Sequence, residues 1–138
     1  MTILLADTSV WARRAVGPIA DRWDAETLED SIAITPMVRM EVLYTARSAR
    51  DYVAIDSELD ALHQVPCDEA AFARALDVQR ALAHKGGLHH RSAGIADLLI
   101  AAAAELAGAT MWHYDEDFDR IAAVTGQPTQ WIVPRGSL

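Results

Sequence analysis

The sequence predicts an α/β fold, with a mainly parallel sheet of four to five strands covered by helices on both faces. Short apolar runs of strand length recur along the chain, each followed by a stretch with helical periodicity. That alternation argues for crossover connections, and hence for parallel strands. Two of the runs end in aspartate, Asp7 and Asp115. Open α/β sheets bind ligands beyond the carboxyl ends of their strands, so these acids fall where such folds build sites.

The elements read as follows. "TILLA" (2–6) is a first strand, Val16-Gly17-Pro18 marks a turn, and 19–30 reads as a helix of mixed charge. "SIAI" (31–34) is a second strand. Thr35-Pro36 then places an N-cap residue before a proline at the first helical position, so a helix should run from 36 to about 48. A further helix over 51–61 leads to a brief strand near "HQVP". Residues 67–85 form an amphipathic helix with Phe72, Ala75, Leu76, Leu82 and Ala83 at helical spacing, ended by Gly86-Gly87. The loop 86–94 opens an almost wholly apolar helix, 95–107, closed by Gly108. "TMWHY" (110–114) is the next strand, the acidic run after it starts a short helix, and "QWIV" (130–133) is the last strand. No repeat or linker interrupts the 138 residues, which read as one domain, 1–138.

Composition excludes several classes. The chain is 51% hydrophobic and 23% charged, which is globular rather than disordered. The apolar run "IADLLIAAAAELAGA" is broken by Asp97 and Glu105 and falls short of the roughly 20 residues of a membrane span. The opening residues lack a basic leader, and the single cysteine, Cys67, cannot form an internal disulfide. Both point to a cytoplasmic setting. A net charge of −8 excludes a basic nucleic-acid-coating module. It leaves room for an enzyme acting on nucleic acid, because a divalent ion supplies positive charge locally.

Each acid has a plain structural reading beside a chemical one. Asp7 suits an N-cap for a helix starting at Thr8. Glu41 falls between Met37 and Val38 on a helical projection, with Arg39 marking the solvent side. A carboxylate on that face must be paired (with Arg47 or Arg50), protonated or metal-bound. Asp97 suits the N-terminus of its helix. Asp115, Glu116, Asp117 and Asp119 pack four like charges into five residues, more than helix capping needs, and Glu116 and Asp119 are expected to face solvent. Carboxylates converging from separate elements raise one another's pKa unless a cation neutralises them, and an all-oxygen set selects Mg²⁺ or Mn²⁺ over zinc. His84, His89 and His90 lie beside Lys85 in a glycine-rich loop and read as solvated or phosphate-contacting rather than as ligands. Trp11, Trp23, Trp112 and Trp131 are scattered over several elements and read as core or interface residues rather than a base-stacking platform. Arg39, Arg47, Arg50, Lys85 and Arg91 are the candidate phosphate contacts.

Taken in order, "LLADTSVW", "MEVLY", "ADLLIAAAA" and "HYDEDFDRIA" resemble the motifs of the PIN-domain ribonucleases, in particular the VapC toxins of bacterial VapBC toxin–antitoxin pairs. The resemblance covers nearly the whole chain. It implies a three-layer α/β/α sandwich and Mg²⁺- or Mn²⁺-dependent endonucleolytic cleavage of RNA, with Asp7, Glu41, Asp97 and Asp115 at the family's four metal-site positions and Asp117 at an additional one. Water activated by the metal should leave a 5′-phosphate and a 3′-hydroxyl. Ser9 stands where the family often has Asn and would support Asp7, with Thr8 beside it. A VapB-type antitoxin and a homodimer are the implied partners. Two other readings start from the same acids: a non-catalytic PIN-like scaffold, and an aspartate-based phosphotransfer domain. A phosphatase of the second kind expects a second Asp where Ser9 stands, and a receiver expects a late Lys, whereas the only lysine is Lys85.

Overall fold

A computed structural model describes residues 2–138. Along the chain run β1 (Leu4–Ala6), α1 (Thr8–Trp11), α2 (Gly17–Leu28), β2 (Ile32–Ile34), α3 (Pro36–Tyr44), α4 (Ala49–Asp60) and β3 (His63–Gln64). Then come α5 (Glu69–His84), a 3-10 turn (His89–Arg91), α6 (Ile95–Leu106), β4 (Thr110–His113), α7 (Asp117–Thr125) and β5 (Thr129–Trp131). The five strands form one sheet in the order β3-β2-β1-β4-β5, and every pairing is parallel. The predicted α/β/α sandwich is the observed architecture.

The two faces of the sheet explain why the strands are so apolar. Successive side chains point to opposite faces, and here both faces are covered. Leu5, Ala33 and Met111 join a core with α3, α5, α6 and α7. Leu4, Ala6, Ile32 and Trp112 join a second core with Val10 and Ile19 from α1 and α2. Trp23 stacks on Trp112 at 6.1 Å with planes 6° apart, so the tryptophans of this face are packing residues. Helix α6 lies innermost among the helices, with Leu98 through Ala104 all buried. It ends at Gly108, whose φ of +68° favours glycine. Among the described residues no helix is long and apolar enough to cross a membrane.

Several boundaries differ from the sequence reading, each for a local reason. Helix α2 starts at Gly17 rather than 19, because Pro18 sits in the first turn, where no N–H is needed. Helix α3 stops at Tyr44 rather than 48, since Ser48 caps α4 by accepting the Asp51 N–H at 3.0 Å. Tyr114 lies outside β4, and β5 starts one residue earlier and ends two residues earlier than expected, with Ile132 buried just beyond it. On α5 the buried stripe is Ala71, Ala75, Val78 and Leu82. Phe72 and Leu76 are instead 51% and 58% exposed, and Ala83 also faces out.

Candidate metal centre

The crossover topology brings the ends of β1 and β4 side by side, and the acidic residues follow from that. Leaving β1, Asp7 donates its backbone N–H to Trp112 O of β4 (2.9 Å). Its carboxylate caps α1, with Oδ2 accepting the Ser9 N–H at 3.0 Å. The cap and a site role are compatible, because the cap occupies one oxygen. Ser9 does a second job: its hydroxyl accepts the Tyr114 N–H at 2.9 Å, tying the exit of β1 to the exit of β4 across 105 residues of sequence. Asp7 is almost fully buried. Desolvation pushes its carboxyl above the ordinary value, opposed by hydrogen bonds from Ser9 and Thr8 and aided by Asp115.

Glu41 projects from α3 onto the same region. The Thr8 hydroxyl donates to its Oε1 at 2.9 Å, and neither Arg47 nor Arg50 pairs with it. Burial raises its pKa, the Thr8 bond lowers it, and the charge of Asp7 raises it again. Asp97 stands in the first turn of α6. Its carboxyl is pushed up to about 8 by burial, then by a hydrogen bond with Asp117 and the charges of Asp7, Asp115 and Asp117. Without a cation, the Asp97 carboxyl therefore keeps its proton at neutral pH.

Ligand oxygens of Asp97, Asp115 and Asp117 all lie within 4.8 Å of one another. Asp7 stands outside that tight group and acts on it through charge, while Glu41 adjoins Asp7. Thus Asp117, expected only as an addition, is one of the three members of the cluster. Asp115 shapes the turn, accepting the Asp117 N–H on Oδ1 at 2.9 Å. The donors are oxygens alone, half-buried and mutually repelling, which is what a hard divalent ion needs and what nothing else nearby fully neutralises.

The other two acids of the run have partners. Glu116 pairs with Arg120 and Arg135, which hold its carboxyl below the usual range. Asp119, expected in solvent, accepts the Trp131 indole N–H at 3.1 and 3.2 Å. Arg120 was not singled out from the sequence, although its positions three and four after Asp117 and Glu116 are the spacing that brings helical side chains together. It donates to Asp117 Oδ1 at 2.6 Å and to Ser92 O at 3.2 Å, joining the acidic turn to the loop before α6. Nor does the sequence mark His113, which reads as one more strand residue. It is completely buried.

Among the basic candidates, Arg39 has acidic partners of its own. It reaches across to α4, donating to Asp56 Oδ1 at 2.8 Å and Asp60 Oδ1 at 2.5 Å, so its guanidinium is committed to an ion-pair network. Lys85 and Arg91 are exposed, with no acid within ion-pair distance. His84 and His89 bond backbone carbonyls at 2.7 Å, and among the described residues no histidine joins a metal-type cluster.

A parallel sheet with carboxylates gathered at its strand ends defines a class of acidic, cation-ready α/β domains. The chain belongs to the PIN-domain family, whose pattern matches residues 4–124. Within that family it lies with the VapC proteins. It is 56% identical to ribonuclease VapC18 of Mycobacterium tuberculosis over 99% of each chain, and 41% identical to ribonuclease VapC51 of the same organism over 97% of this chain and 96% of that one. Among solved structures, DNA-bound VapBC from Salmonella typhimurium superposes with a TM-score of 0.75 at 21% identity, covering 96% of this chain and all of that one, which speaks for the fold.

Proposed function

We propose that this protein is an endoribonuclease toxin, dependent on Mg²⁺ or Mn²⁺ and paired with a VapB-type antitoxin. The observation that carries the reading is the cluster of Asp97, Asp115 and Asp117, with Asp7 and Glu41 beside it. The names of the VapC relatives, which are ribonucleases, support RNA as the substrate. Asp7, Asp97 and Asp115 would hold the principal ion, and Asp117, drawn toward Arg120, would adjust its surroundings. Glu41 would complete the set, helping to hold a second ion or positioning the water. A divalent cation in this position neutralises the scissile phosphate and acidifies a water.

The chain's own groups do the rest. Glu41 is steadied by Thr8 through Oε1, leaving Oε2 to orient the attacking water and accept its proton. In-line attack then leaves a 5′-phosphate and a 3′-hydroxyl. Lys85 and Arg91 flank the loop that Arg120 anchors and would meet neighbouring phosphates. Two exposed apolar surfaces suit the partners. Phe72, Leu76 and Ile95 form one, suited to a second copy of the chain in a homodimer. Met40 and Tyr44, beside Glu41, form the other, suited to an antitoxin segment whose basic residues answer the net charge of −8. An RNA substrate and an antitoxin partner would suit a cytoplasmic setting. The test is RNA incubated with Mg²⁺ and mapped at its new 5′ ends: cutting is expected from the wild type alone, and cutting that persists in excess EDTA or in Asp7→Asn refutes the reading.

A further inference from the structure

We propose that His113 is a positioning residue for the acidic centre: its Nδ1 holds the backbone N–H of Asp115 and thereby fixes where that carboxylate sits. This rests on reading Asp115 as a metal ligand. The Asp115 N–H donates to His113 Nδ1 at 3.2 Å, so that nitrogen carries a lone pair and the ring proton belongs on Nε2. Nε2 is buried without a hydrogen-bond partner, and its nearest acid, Asp119 Oδ1, is 3.9 Å away and occupied by Trp131. A buried polar atom left unsatisfied costs stability, and a leucine there would avoid that cost. The polar ring is therefore explained by what its other nitrogen does.

The surroundings restrict the ring to one orientation. Phe118 and Trp131 pack on it with centroids at 5.1 and 5.0 Å, and the side chain is completely buried. Turned over, it would present C–H to the Asp115 N–H and orphan that donor. From the fixed amide the order passes outward. Asp115 Oδ1 accepts the Asp117 N–H, and ligand oxygens of Asp115, Asp97 and Asp117 lie within 4.8 Å of one another. Groups that orient ligands in this way typically alter metal affinity by 10–100-fold when removed.

Isosteric variants separate this role from packing. The Asn amide oxygen falls near the place of Nδ1, and the Gln amide near that of Nε2; both variants lose the ring alike. Mn²⁺ affinity, measured by electron paramagnetic resonance, is expected to be close to wild type in His113→Asn and about tenfold weaker or more in His113→Gln and His113→Leu. RNA cleavage should lose kcat in the latter two with KM retained. Equal affinity in Asn and Gln variants overturns the proposal. In the wild type, a long-range ¹H–¹⁵N spectrum should show the ring proton on Nε2, and a proton on Nδ1 overturns it without any substitution. If instead Asp115→Asn binds Mn²⁺ like the wild type, the metal site itself is misread, whatever His113 does.

Discussion

Replacing Asp7 by Asn should make the protein more stable and inactive at once. Asp7 is 4% exposed, and its charge is desolvated more than Ser9 and Thr8 compensate it, with Asp115 adding repulsion. Asn is as good an N-cap as Asp and keeps the bond from the Ser9 N–H. The substitution thus removes a poorly compensated buried charge and little else, a gain of about 1–2 kcal/mol. For a domain of this size that raises Tm by about 3–8 °C. The comparison is a thermal melt at pH 7.5 in EDTA. In Mn²⁺ at about 100 times its Kd, ion binding adds about 2.7 kcal/mol to the wild type alone, and the order reverses. An Asp7→Asn protein that melts below wild type in EDTA, or gains the same increment from Mn²⁺, refutes the reasoning.

Other expectations follow from the same geometry. The Asp97 carboxyl is raised to about 8 in the folded state, so the stability it contributes is complete below about pH 4 and lost as pH climbs through 8. Metal-free Tm should fall over that window and Mn²⁺ should abolish the fall; a flat metal-free profile contradicts it. Lys85→Ala/Arg91→Ala should reduce the salt slope of RNA binding by about 1.4, at about 0.7 per phosphate contact, whereas Arg39→Met should leave the slope alone and lower Tm. Phe72→Asp with Leu76→Asp should give a monomer by sedimentation with an unchanged circular dichroism spectrum, because both side chains lie outside the core.

What the sequence discloses depends on how local the signal is. Thr35-Pro36 and Gly108 announce helix ends by backbone chemistry confined to a few residues, and both are observed. Asp7, Asp97 and Asp115 are legible because each interrupts or ends an apolar run, where a charge demands a reason. The ion pairs of Arg39 are not legible, because its partners, Asp56 and Asp60, come from the next helix, and no spacing links them in advance. Phe72 and Leu76 have the periodicity of a buried stripe, but α6 packs on Ala71, Ala75 and Val78 instead; periodicity marks an apolar face without saying what covers it. His113 carries no signal by itself, since its role exists only once Phe118, Trp131 and the Asp115 amide surround it.

The link from Ser9 to Tyr114 bears on when the acidic site can form. β1 is central in the sheet, yet its neighbour β4 is translated about a hundred residues later, and closing so long a loop comes late in folding. A polypeptide stalled before residue 110 has neither that strand nor the aspartates beyond it. A chain cut short before β4 therefore lacks the carboxylate cluster, which assembles only once β1 and β4 are both in place.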